Sequence, residues 1–126
     1  MARSPSPTLT PAELRVMRVL WRIGPAPAAD LVAAVRGRRG TKDSTIRTIL
    51  RILERKGYVR HRVEGRAFVY QAVVAEGDAQ RGAVRDLVAR FFDNRPERLV
   101  LNLLEHRDVN AAELARLRKL VEDDRP

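Results

Sequence analysis

The stretch STIRTILRILERKG, residues 44–57, decides how this chain is read. Ile46, Ile49, Leu50 and Leu53 recur at spacings of three and four, so they share one stripe of a helix. Thr45, Arg47, Thr48 and Arg51 lie largely off that stripe, and so does Arg55. One face therefore belongs to a core and the other is free to meet a partner. Gly57 closes the segment where a left-handed residue ends a helix. Thr41 and Asp43 are both available to cap its start.

Upstream, Thr10-Pro11-Ala12-Glu13 spells a capping box with proline at the first helical position. Leu14, Met17, Leu20 and Trp21 make the buried stripe of that first helix, which Gly24, Pro25 and Pro27 stop. A short second helix follows over residues 28–35, with Leu31, Val32 and Val35 inward, and ends in the Gly37-Arg38-Arg39-Gly40 loop. Downstream of Gly57 the period changes from 3.6 to 2, through Tyr58–Val63 and Arg66–Val73 around Glu64-Gly65, which predicts a hairpin of open turn type. Phe68 and Tyr70 share one side of their strand, an arrangement expected to pack the hairpin onto the helices.

From Gly77 the pattern is helical again. Val84, Leu87, Val88, Phe91 and Phe92 form one apolar face, and Asn94 to Pro96 interrupts it. Leu99, Val100, Leu103 and Leu104 form the next, and Leu114, Leu117, Leu120 and Val121 a third, after a capping-box-like Asn110-Ala-Ala-Glu113. Three short amphipathic helices make a small core on their own, so their stripes call for a partner. A dimer seam is the expectation, ahead of a core closed within one chain. The organisation read here is an N-terminal arm over 1–9, a helix-helix-helix-hairpin domain over 10–74 and a helical dimerisation region over 75–126.

The formal charge of +9 is not spread evenly. Residues 1–73 hold 15 Lys and Arg against 5 Asp and Glu, while residues 74–126 hold 10 against 11. The density peaks between Arg36 and Arg66, with 11 basic and 3 acidic residues, a distribution suited to a polyanion. A chain whose composition was merely arginine-rich would be basic in both halves.

Three helices followed by a hairpin, with the charge peak over the third helix and hairpin, is the layout of a winged helix-turn-helix: a mainly α fold with a small β-hairpin. In that arrangement the third helix enters the major groove and the wing lies against the backbone or the minor groove. Arg47 and Arg51 are one turn apart and can address guanine O6 and N7, while Thr45 and Thr48 are small enough to let the backbone approach. Arg60, Arg62 and Arg66 are wing candidates, and Arg36, Arg38, Arg39 and Lys42 are loop candidates for phosphate. A protein-interaction module gripping an acidic partner and a nonspecific DNA binder share these features, and only sequence-selective binding separates them from a specific regulator.

Other chemistries find little support. There is no cysteine, which excludes thiolate metal sites, disulfides and cysteine nucleophiles. His61 and His106 are too few and too far apart to suggest a metal centre, and no catalytic set or phosphate loop stands out, so neither an enzyme nor a cofactor is expected. Trp21 is expected to pack rather than to stack on a base. Neither a secretory signal nor a membrane span is visible, which points to the cytoplasm.

The segments LTPAELRVMRVLW (9–21), STIRTILRILERKGYV (44–59) and EGRAFVYQAVV (64–74) together resemble the DNA-binding domain of the penicillinase repressor family, the BlaI/MecI/CopY-type bacterial regulators. LVARFFDNRPERLVLNLLEH (87–106) and NAAELARLRKLVE (110–122) are similar to that family's dimerisation helices. The resemblance implies a homodimeric repressor on an inverted-repeat DNA operator, in promoters for antibiotic resistance or a related stress response. It carries DNA contact to Ser44, Thr45, Arg47, Thr48 and Arg51 on the third helix and to Arg66 at the wing. Relatives paired with a membrane-bound sensor protease are inactivated by cutting an Asn-Phe bond, and the aligned bond here is Asn102-Leu103. The copper-responsive branch carries C-terminal cysteines, which this chain lacks.

Overall fold

The computed structural model describes residues 9–37 and 40–124. It divides into two compact units, the first running up to Ala83 and the second from Val84 onward.

In the first unit, α1 (Pro11–Ile23) starts as its sequence dictates: the Glu13 N–H donates to Thr10 Oγ1 at 3.1 Å and Glu13 Oε1 accepts from the Thr10 N–H at 3.0 Å. Gly24 ends it at φ 81°, its N–H bonded to the Leu20 carbonyl. A two-residue strand, β1 (Ala26–Pro27), leads into α2 (Ala28–Arg36), and α3 (Asp43–Lys56) follows. Leu9, the last residue assigned to an arm, packs against the core. The rest of that arm, residues 1–8, lies outside the described residues.

The start of α3 departs from expectation. Lys42 is the N-cap and supplies no side-chain cap, whereas Asp43 is the first helical residue. Asp43 instead bonds Arg36 at the end of α2, with Arg36 Nη1 2.9 Å from Asp43 Oδ1, and its charge sits favourably against the helix dipole. Gly57 ends α3 in the left-handed region, φ 91° and ψ 12°, and its N–H bonds back to the carbonyls of the last turn.

The hairpin strands are β2 (Val59–Glu64) and β3 (Ala67–Ala72), paired antiparallel from Val59 opposite Ala72 to Glu64 opposite Ala67. Between them Gly65 has φ +61° while Arg66 is not at positive φ, the II′ pattern for a two-residue hairpin. The sheet has a third member that periodicity did not announce. β1 pairs with β3, Ala26 opposite Tyr70 and Pro27 opposite Val69, giving the order β1-β3-β2. Proline is tolerated there because β1 is an edge.

The core gathers Val16, Met17 and Leu20 of α1, Leu31 and Val32 of α2, Ile46, Leu50 and Leu53 of α3, and Tyr58, Val59 and Tyr70 of the hairpin and its approach. Burying each large aliphatic contributes about 1.5–3 kcal/mol, so the α3 stripe alone fixes that helix firmly. Trp21 is partly buried, and its Nε1–H donates to the Val74 carbonyl at 2.9 Å, tying the end of α1 to the segment after β3.

α4 (Glu76–Phe91) crosses into the second unit, which also holds α5 (Pro96–Glu105) and α6 (Ala111–Asp123). Asp93 and Asn94, at φ 51° and 59°, make the turn after α4. Asn110 caps α6, its Oδ1 accepting from the Glu113 N–H at 2.8 Å. In this unit Val88 alone is buried among the described residues, and α5 and α6 bury none. No helix of the described residues is long and apolar enough to cross a membrane.

Candidate nucleic-acid interface

The two faces of α3 separate cleanly. Ile46, Leu50 and Leu53 have no exposed surface, whereas Ser44, Thr45, Arg47, Thr48 and Arg51 are all exposed. Within that exposed set the side chains are not independent. Thr48 Oγ1 donates to the Ser44 carbonyl at 2.8 Å and accepts from Arg51 Nη2 at 3.2 Å. The Arg51 guanidinium is therefore drawn back along α3 toward Thr48, while Arg47 makes no hydrogen bond or ion pair among the described residues and projects freely.

The wing cations differ in a similar way. Arg62 Nε is 3.3 Å from Glu64 Oε1, and Arg62 Nη1 donates to Gln71 Oε1 at 3.3 Å, so this guanidinium is already engaged on the outer face of the hairpin. Arg66, in the turn, is exposed and has no such partner among the described residues. Lys42 at the start of α3 is likewise exposed, whereas Arg36 is held by Asp43. Arg38 and Arg39 lie outside the described residues.

Sequence spacing missed a polar joint between helix and wing. His61 Nδ1 lies 2.7 and 2.9 Å from the two carboxylate oxygens of Glu54 on α3. A carboxylate only accepts, so Nδ1 carries the hydrogen. Tyr70, on the same inner face as His61, is buried, and burial pushes its hydroxyl above the ordinary tyrosine range. The Glu54 charge adds to that rise, while Arg51 and Arg47 oppose it.

The expected packing of Phe68 onto the helices is not found. Phe68 is 47% exposed, against 4% for Tyr70. On this face burial falls from Val59 and Tyr70 near the base of the hairpin to Val63 and Phe68 near its tip.

A second pair holds α3 in place from behind. Lys56 Nζ donates to Glu13 Oε1 at 2.7 Å, with Glu13 only 5% exposed. Burial would raise the Glu13 carboxyl, but the bonds from Lys56 and Thr10 and the Lys56 charge outweigh it and hold the carboxyl below its ordinary value. The same buried carboxylate, after burial itself, helps push the Tyr58 hydroxyl up. Among the described residues no three His, Asp or Glu gather in a way that could hold a metal ion.

The expected pairing residues sit as the second unit's exposure suggests. Leu87, Phe91, Val100, Leu114, Leu117 and Val121 are exposed, and Phe92, Leu99, Leu103 and Leu104 are half-buried. Leu101 and Leu120, at 52% and 59% exposed, extend that apolar surface.

Comparison with known proteins gives a consistent answer. The family model described as penicillinase repressor matches residues 9–123. The penicillinase repressor of Bacillus licheniformis is 29% identical over 117 residues, covering 93% of this chain and 91% of that protein. The methicillin resistance regulatory protein MecI of Mammaliicoccus sciuri is 26% identical over 113 residues, covering 90% of this chain and 92% of that protein. Among solved structures, the DNA-binding domain of the repressor BlaI aligns with a TM-score of 0.55 at 32% identity, over 60% of this chain and 93% of that domain.

Proposed function

The chain belongs to the penicillinase repressor family, and from that premise we propose that it is a DNA-binding transcriptional repressor that acts as a homodimer on an inverted-repeat operator. Membership of a family of repressors makes it a regulator and not an enzyme. The observation that carries the reading is α3 itself, whose Ile46, Leu50 and Leu53 are fully buried while Thr45, Arg47, Thr48 and Arg51 stand exposed in the most basic part of the chain. Residues 10–74 read the operator and residues 75–126 pair the protomers. Arg47 and Arg51 address base edges, with Ser44, Thr45 and Thr48 beside them, and Arg66, Lys42, Arg38 and Arg39 hold phosphates.

The second unit supports the dimer. A set of helices that buries one side chain has no core to stabilise it alone, and its leucines and phenylalanines need a matching surface. A second copy offers one under two-fold symmetry, which also sets two copies of α3 at two half-sites.

Release by a membrane-bound sensor protease is part of the same reading, with Asn102-Leu103 as the bond. That bond lies inside α5, and the Asn102 carbonyl accepts from the His106 N–H at 3.2 Å and lies 2.9 Å from His106 Nδ1. Cleavage there requires α5 to open first. An operator of a β-lactamase gene or another resistance or stress gene fits the relatives' names.

The test is footprinting across the promoter of the chain's own gene and its neighbours. A protected site with two-fold symmetry is expected; protection no better than on random duplex refutes sequence-specific repression. If a dimer neutralises about six to eight phosphates, affinity falls roughly 10³- to 10⁴-fold between about 50 and 200 mM salt.

A further inference from the structure

Burial along the inner face of the hairpin falls away toward its tip. The cross-strand pairs on that face are Val59 with Ala72, His61 with Tyr70, and Val63 with Phe68. Val59 is 2% exposed and Tyr70 4%, but at the tip Phe68 reaches 47% and Val63 62%. A folded frame thus holds an apolar pair out in water.

Phe68 is nevertheless anchored. One face of its ring lies on the His61 imidazole, with 4.3 Å between centroids and 17° between planes. That imidazole is held in turn by Glu54 of α3. The ring is therefore fixed relative to the exposed face of α3. Arg47 and Arg51 stand exposed on α3, the helix to which this imidazole is bonded. Arg66 stands two residues from Phe68, in the hairpin turn.

We propose that Phe68 and Val63 form an apolar seat for the deoxyribose edge of one DNA strand, with the flanking phosphates directed to Arg66 on one side and to the α3 arginines on the other. This rests on the DNA-binding reading above and adds to it a contact that carries no charge. The sugar is the uncharged part of the backbone, and it alternates with phosphates as this surface alternates apolar and cationic groups. Apolar wedges that kink DNA enter between base steps, where a ring lying flat would have a base on either face. Phe68 has one face covered by His61, so it can lie against a sugar but not between bases. The eleven basic residues between Arg36 and Arg66 favour a polyanionic occupant over a second copy of the same positively charged wing.

The test uses the full chain and a fluorescein-labelled random duplex of about 30 base pairs, followed by anisotropy between about 50 and 200 mM salt. Phe68→Ser and Val63→Ser are each expected to weaken binding about five- to tenfold, the scale of re-exposing part of one apolar side chain. The dependence of affinity on salt should stay at the wild-type slope, because no phosphate contact is removed, whereas Arg66→Ala should flatten it by about one phosphate. Phe68 and Val63 both lie outside the core, and thermal melts establish that the variants fold. Wild-type affinity in both serine variants overturns the seat and leaves the DNA reading standing. A wild-type chain that does not bind duplex at low salt overturns both. Within the complex, nuclear Overhauser contacts between the Phe68 ring and deoxyribose protons are expected, and their absence overturns the seat. So does a shift of Phe68→Ser toward monomer in DNA-free sedimentation, which assigns the face to a second copy.

Discussion

Glu13 Oε1 accepts a 2.7 Å hydrogen bond from Lys56 Nζ, joining the first turn of α1 to the last turn of α3 across 43 positions of sequence. The same carboxylate completes the capping box of α1. One buried charge therefore starts one helix and secures the end of another. With Lys56 about one-quarter exposed, the pair is worth more than a surface ion pair and less than a dry one.

Glu13→Gln is expected to cost about 2 kcal/mol at neutral pH and lower the melting temperature by roughly 5–10 °C. Because the folded carboxyl titrates below its ordinary value of 4.5, its contribution is complete above that value. It is then lost as pH falls through the lower folded value. Melting curves of both proteins from neutral to acid pH should therefore converge on the acid side. A constant gap between them would show that the carboxylate's charge is not what stabilises.

Arg66→Ala is expected to reduce the salt dependence of DNA binding by about one phosphate, and Arg62→Ala by clearly less. The difference follows from Arg62 being shared between Glu64 and Gln71 while Arg66 has no such partner among the described residues. Equal slopes for the two variants would mean that the Arg62 contacts give way on binding.

Thr48→Val removes the hydroxyl that meets Arg51 Nη2 while keeping the side chain's shape. Combined with Arg51→Ala in a double-mutant cycle of operator affinity, it should show a coupling of about 0.5–1 kcal/mol, and Thr48→Ser should restore it. Strict additivity would mean that Thr48 acts on DNA by itself. Arg47→Ala, with no tether to lose, is expected to cost about 1–3 kcal/mol and to relax preference at one position in each half-site.

Leu117→Asp places a charge on the exposed apolar stripe of α6. It is expected to weaken self-association on the order of a hundredfold in sedimentation experiments, because the carboxylate must be desolvated in any paired surface. An unchanged association state would move the seam away from α6.

What the sequence makes legible is local. The Thr10 to Glu13 box, the Gly57 stop and the α3 stripe each depend on residues within one or two turns, and each is found as read. The features that escaped depend on distant neighbours. β1 is two residues long and exists only because Tyr70 and Val69 lie opposite it. Lys56 read as a cation favouring a helix C-terminus, and its partner Glu13 lies on another helix. Asp43 read as a cap, but Arg36 at the end of α2 claims it. Phe68 and Tyr70 share a face by alternation, yet alternation does not say how far along the hairpin the core reaches, and only Tyr70 is covered. For the candidate site, spacing found the exposed face of α3; it could not show that Arg51 leans on Thr48 or that Arg62 is occupied on the wing.

The bond from Trp21 Nε1 to the Val74 carbonyl spans the point where β3 hands over to α4. Trp21 is the one tryptophan in the chain. The protein thus carries a built-in optical gauge at the root of the helix that leads out of the first unit. Loosening of that joint would hydrate the indole and move its emission to longer wavelength, with no label attached.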